Sequence, residues 1–80
     1  MRLPRDLSGE ALAARLARLG YAVTRQTGSH LRLTTERDGQ HHVTIPLHSS
    51  LRVGTLSSLL GDLAEHHHLD RDTLLILLFS

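Results

Sequence analysis

Leucines recur at helical spacing near both ends of the chain, and between them apolar and polar residues alternate. Leu12, Leu16 and Leu19 fall on one helical face. Leu7-Ser8-Gly9-Glu10 reads as the start of that helix, with Ser8 as cap, Glu10 in the first turn and Leu7 stapled onto Leu12. Gly20 closes it, and Arg15 and Arg18 fall where the helix dipole favours positive charge. Three alternating segments follow, about Tyr21–Gln26, His30–Thr35 and His41–Pro46, and predict strands. A three-residue loop, Thr27-Gly28-Ser29, pairs Gln26 with His30, Thr24 with Arg32 and Val23 with Leu33. That register keeps the apolar side chains on one sheet face and sends His30 and Arg32 to the other. A two-residue loop sets Val23 against Thr34 and breaks the pattern. The second turn, Arg37-Asp38-Gly39, offers glycine where a hairpin needs positive φ, and pairs Leu33 with Val43 and Leu31 with Ile45.

After Pro46 a polar loop, His48 to Gly54, leads to Thr55 as the cap of a second helix carrying Leu56, Leu59, Leu60 and Leu63. Asp70 caps a last segment, with Leu69 and Leu74 as another staple. From Leu74 to Phe79 that segment is apolar all round, so it either closes the core or is covered by a partner or by self-association. The order predicts one α+β domain over residues 1–80. It has an antiparallel three-stranded sheet with two helices on its apolar face, an open opposite face, and an extra C-terminal helix or turn.

Composition narrows the chemistry. Eighty residues bury only about two-thirds of their unfolded surface. There is no cysteine, hence no disulfide framework and no thiolate nucleophile or metal site. No leader is visible, and the apolar C-terminal run falls far short of the ~20 residues that span a bilayer. The expectation is a cytoplasmic protein with no membrane contact. The formal net charge is +1, and every basic residue is arginine, whose planar fork suits phosphate better than the point charge of lysine. GC-rich coding produces the same bias, so composition speaks to partners and not to a site.

The candidate site is Gly28-Ser29-His30. RNA carries its own nucleophile, the 2′-hydroxyl beside the scissile phosphate, so cleavage needs only proton transfer and charge stabilisation. Histidine titrates near working pH and suits the proton transfer. Gly28 lets backbone approach a phosphate, Ser29 can donate a hydrogen bond to it, and Arg32 on the same face can neutralise developing charge. Arg25 is placed to reach the same phosphate around the sheet edge. The second proton carrier is open between His48 and solvent. His66-His67-His68 is not read as a metal site, because consecutive helical side chains diverge by about 100°. A histidine-rich helix end favoured by the dipole is the simpler account. His41-His42 fails because neighbouring strand residues face opposite sides. Asp38, Asp62, Asp70 and Asp72 read as turn, surface and cap residues. No metal or other cofactor is expected, and no P-loop, dinucleotide fingerprint or nucleophile elbow is present.

Several segments together resemble the HicA toxin family: Leu3-Pro4-Arg5-Asp6-Leu7-Ser8-Gly9, Leu19-Gly20-Tyr21, Arg25-Gln26-Thr27-Gly28-Ser29-His30, Val43-Thr44-Ile45-Pro46-Leu47-His48 and Gly54-Thr55-Leu56. They cover nearly the whole chain in order. The lysines usual around the turn and second helix are replaced by Gln26-Thr27 and Ser57-Ser58. The resemblance implies a double-stranded-RNA-binding-domain-like fold, an mRNA-cleaving toxin with its catalytic histidine at His30, and inhibition by a HicB-like antitoxin. The competing readings are a non-catalytic RNA-binding module and a degenerate toxin that only binds its antitoxin.

Overall fold

The computed structural model describes residues 3–80. The first two residues of the expected 1–80 domain, Met1 and Arg2, lie outside that range. Helix α1 (Gly9–Leu16) runs into a 3₁₀ turn at Ala17–Leu19. Strands β1 (Ala22–Gln26), β2 (His30–Thr35) and β3 (His41–Pro46) follow, then helices α2 (Val53–His67) and α3 (Arg71–Phe79). The sheet is antiparallel in the order β1-β2-β3. Helices cover one face and the other is open, which is the α-β-β-β-α arrangement of a double-stranded-RNA-binding-domain-like fold with α3 added.

The local signals act as their chemistry dictates. Ser8 Oγ accepts from the Ala11 amide at 2.9 Å, and Asp70 Oδ1 accepts from the Thr73 amide at 2.7 Å. Gly20 adopts φ +80°, and a Cβ there would meet Thr35 Oγ1 at 2.9 Å, so both conformation and close approach require glycine. Leu12, Leu16, Leu33, Ile45, Leu56, Leu60 and Leu63 are almost wholly buried and form the centre of the core. Leu74, Leu75 and Leu78 join them, while Ile76 and Leu77 face outward at 50% and 42% exposure. The terminal segment therefore closes the core on one side only.

Two local expectations change. Helix α2 begins at Val53 with Arg52 as a cap lacking a side-chain bond, so Thr55 lies inside the first turn and does not cap it. Buried Leu51, whose amide donates to the Leu7 carbonyl at 2.7 Å, anchors the chain just before the helix, so packing sets the start. Arg15 and Arg18 lie in the last turns of α1 and its 3₁₀ extension, as expected, and they also reach a second helix. Arg18 Nη1 donates to the carbonyls of Leu77 (3.1 Å) and Ser80 (2.9 Å), and Arg15 Nη1 to that of Leu78 (3.4 Å), at the negative end of α3.

The second change is in the first hairpin. Val23 pairs with Leu33, but an irregularity at Thr24 shifts the register, so Arg25 faces Arg32 and Gln26 faces Leu31. The pairs Gln26–His30 and Thr24–Arg32 are not made. The Thr24 hydroxyl instead bonds Thr34 Oγ1 (3.0 Å) and the Arg32 carbonyl (3.3 Å), a bulge that hydrophobic alternation cannot announce. The second hairpin keeps its expected register, with Leu31 opposite Ile45 and Leu33 opposite Val43. Its turn places Asp38 and Gly39 at φ +58° and +95°. Because α1 packs toward β3 and α3, strand β1 stays exposed throughout and Val23 is 52% exposed.

Candidate functional site

His30 is the first residue of β2, and the turn before it is fixed by one threonine. Thr27 Oγ1 accepts from the His30 amide at 3.0 Å and the Ser29 amide at 3.4 Å, while the Thr27 amide donates to the His30 carbonyl at 3.0 Å. A side-chain hydroxyl closing a turn onto following amides needs no tertiary partner. Thr27-x-x-His30 was therefore a legible signal, and the strand pattern passed over it. The Leu47 amide donates to the Ser29 carbonyl at 2.8 Å and ties the turn to the end of β3.

The imidazole is exposed on the open sheet face. Ser29 Oγ lies 2.9 Å from His30 Nδ1, which orients the ring and leaves Nε2 for an external group. Arg25, Thr27, Arg32 and Thr44 join His30 around a shallow depression of about 140 Å³. The structure thus brings together His30, Arg25 and Arg32, and adds Thr27 and Thr44. The bulge contributes by setting Arg25 directly across from Arg32. No carboxylate lines the depression, and neither guanidinium is bonded to another described residue. Two facing arginines repel one another, so the arrangement favours an anion between them.

Gly28 is not in the left-handed region, and a Cβ there would meet nothing within 4 Å. Neither backbone conformation nor packing asks for glycine at this exposed position. His48 is exposed outside the depression, and its carbonyl accepts from the Gly9 amide at 3.0 Å. A larger hollow of about 450 Å³ lies between α1 and β1, walled by Ala13, Ala14, Ala17, Val23, Leu31 and Leu33. Glu10 at its rim and Tyr21, whose hydroxyl is engaged by two histidines, are its only titratable groups.

The other histidines separate as strand and helix geometry require. His42 faces outward and lies 2.7 Å from Thr34 Oγ1, whereas His41 turns toward the helices. His66, His67 and His68 point to different partners. His67 is buried and His68 ends α2 with φ +55°. The three do lie at the C-terminal end of α2, and His66 and His67 are in addition tied to the β2–β3 turn.

The protein is an open-faced α+β domain that carries an exposed histidine beside two unpaired arginines on the face opposite its core. None of the described helices is long and apolar enough to cross a membrane. The family model described as the HicA toxin of bacterial toxin–antitoxin systems matches residues 9–64, and the chain belongs to that family. It is the toxin side of a toxin–antitoxin pair, in a family known for mRNA interferases. No curated protein and no solved structure gives a significant match.

Proposed function

We propose that this protein is a metal-independent endoribonuclease that cleaves mRNA and is neutralised by a HicB-like antitoxin. The observation that carries the reading is His30 beside the facing pair Arg25 and Arg32 in a depression without a carboxylate. In the proposed reaction the RNA 2′-hydroxyl attacks the adjacent phosphorus and the 5′-oxygen leaves. The products are a 2′,3′-cyclic phosphate and a 5′-hydroxyl. His30 Nε2 moves one of the two protons. If it acts as base, Nδ1–H donates to Ser29 Oγ; if as acid, Nε2 carries the hydrogen. Either role fits the 2.9 Å contact. Arg32 and Arg25 offset the charge that builds on the phosphorane oxygens. The hydroxyls of Thr27 and Thr44 are additional donors at the rim. His48 lies outside the depression, which leaves solvent as the second proton carrier. Gly28, which the fold itself does not require, leaves room for the sugar–phosphate backbone to pass.

The test is induced expression of the wild type and His30→Ala, each with and without the neighbouring antitoxin reading frame. Wild type alone should arrest growth and degrade mRNA, and His30→Ala should be tolerated. Cleavage should fall roughly 10²–10⁴-fold. Stability should change by less than about 0.5 kcal/mol, because the side chain is exposed. Equal toxicity of the two proteins removes His30 from the chemistry. RNA that is bound but left intact by the wild type marks a binding module instead.

A further inference from the structure

The open sheet face does not end at the depression around His30. Two residues beyond Arg32 on β2 is Thr34, and two before Thr44 on β3 is His42, which stands opposite Thr34. His42 is exposed and ends a run of polar contacts that crosses all three strands. Its Nδ1 lies 2.7 Å from Thr34 Oγ1, Thr34 Oγ1 lies 3.0 Å from Thr24 Oγ1, and Thr24 Oγ1 donates to the Arg32 carbonyl at 3.3 Å. His30 stands opposite Pro46, so the two histidines are about 13 Å apart along the strands, with Arg32 and Thr44 between them. That is too far for both rings to act on one phosphate. It suits a neighbouring nucleotide of the same strand.

The three contacts need three hydrogens, and the two threonine hydroxyls supply one each. Thr24 gives its hydrogen to the Arg32 carbonyl, so Thr34 donates to Thr24 and the third hydrogen comes from His42 Nδ1. In the opposite sense, with Thr34 donating to His42, the single Thr24 hydrogen faces two acceptors and one contact is lost. A hydrogen on Nδ1 leaves Nε2 of the neutral imidazole as an acceptor, turned to the open face. We propose that His42 Nε2 accepts a hydrogen bond from a nucleotide flanking the cleaved one, and so forms a second subsite for single-stranded RNA. The inference rests on the RNA-cleaving reading above.

An acceptor does not hold a phosphate. The charge beyond His42 points the same way, because the alternation continues to Gln40 and Glu36, where Gln40 Nε2 donates to Glu36 Oε1 at 3.1 Å. Positive charge lies at the other end of the face, where Arg25 and Arg32 adjoin His30. The face is therefore cationic where the phosphate is cleaved and accepting around His42. The donors that RNA offers to such an acceptor are the ribose 2′-hydroxyl and the N–H groups of the bases, and a single strand exposes both. A contact to the 2′-hydroxyl separates RNA from DNA at that position, whereas a contact to a base edge gives sequence preference.

The threonines matter because an exposed imidazole otherwise samples several rotamers. Held at Nδ1 by Thr34, which is itself held by Thr24, the ring is oriented before RNA arrives, and less ordering remains to be done on binding. Thr24 is the residue at the β1 bulge. The irregularity that sets Arg25 across from Arg32 thus also supplies the anchor for His42. One bulge shapes both ends of the RNA path.

Binding of a short single-stranded RNA of defined sequence to the full chain carrying His30→Ala tests the contact. A single 2′-deoxy substitution, or a base lacking one N–H donor, is walked through the oligonucleotide. At one position such a change should weaken binding about 3–10-fold. The same change should make no difference once His42→Phe is added, which keeps a ring and removes the acceptor. A deoxy effect that depends on His42 assigns the sugar, and a base effect that depends on it assigns the base. If no substitution has an effect that depends on His42, the subsite is overturned even where the wild type cleaves RNA. RNA neither bound nor cleaved by the wild type overturns the cleavage reading and the subsite together. Long-range proton–nitrogen correlation NMR on the free wild-type chain near pH 7.5 checks the acceptor without RNA. The His42 ring should carry its hydrogen on Nδ1, and a hydrogen on Nε2 overturns the proposal.

Discussion

Replacing Gly9 by alanine should destabilise the domain although alanine is the better helix former. In a helix interior alanine is favoured over glycine by about 0.5–1 kcal/mol. At Gly9 that gain is opposed by geometry, because an added Cβ would overlap the Pro46 carbonyl oxygen and lie 3.2 Å from Ile45 Cγ2. Nothing there yields cheaply. The obstacle is backbone at the end of β3, and Ile45 is fully buried. Separating α1 from β3 strains two bonds that stitch this corner, Gly9 amide to His48 carbonyl (3.0 Å) and Leu51 amide to Leu7 carbonyl (2.7 Å). Forcing a methyl into a packed site costs about 1–3 kcal/mol, and each weakened hydrogen bond about 1 kcal/mol. Less the helix gain, the net loss is about 2–4 kcal/mol. For a domain of this size it corresponds to a fall in Tm of roughly 10–25 °C. Urea and thermal unfolding followed by circular dichroism measure it. Gly61→Ala on exposed α2, where a Cβ meets nothing within 4 Å, is the control and should stabilise by about 0.5–1 kcal/mol. A Gly9→Ala midpoint at or above wild type would refute the packing argument. Because Pro46 stands opposite His30, any folded Gly9→Ala protein should also show a disturbed candidate site.

Gly28→Ala should leave stability within about 0.5 kcal/mol of wild type yet weaken growth arrest, because its methyl points into empty space where the substrate backbone is proposed to pass; wild-type toxicity would count against that path. Cleavage by the purified protein should survive EDTA and leave 2′,3′-cyclic phosphate ends, checked by product-end analysis, whereas loss on chelation with recovery on adding a divalent ion points to a metal nuclease. The Asp70 carboxyl is held below its usual range by the Thr73 amide, so its contribution to stability is present above pH ~4 and is lost as pH falls through the lowered folded value. Asp70→Asn should keep the cap and flatten that acid limb in denaturation measured from about pH 5 downward; an unchanged acid limb would remove Asp70 from the acid response.

Much of the fold was legible because its signals are local. Ser8 and Asp70 cap because a short acceptor sits three residues before an orphan amide. Gly20 and Gly39 mark positive φ, and alternation set the β2–β3 register one strand against the next. The outward placement of His30 and Arg32 followed from the same alternation. Arg25 came to the site by a different route than expected, through a bulge whose partners lie on the neighbouring strand. Thr44 stands opposite Arg32 through the β2–β3 register that alternation set.

The sequence alone determined which residues turn inward, where the chain reverses, and that one histidine opens the second strand on the polar face. These follow from the periods of helix and strand and from the conformational limits of glycine, which act between near neighbours. Only the tertiary structure decided that Arg15 and Arg18 cap α3, that Leu51 starts α2, and that Val23 stays half exposed. It also decided the fate of the remaining histidines. Read along the chain, His41-His42 and His66-His67-His68 are adjacent residues diverging from one another, and Asp38 and Asp62 are surface acids. Folding discards those adjacencies and joins His41 and His67 through Tyr21, with a carboxylate at either end. Sequence spacing fixes the direction of each side chain relative to its own element, whereas packing the elements together fixes which distant polar groups meet.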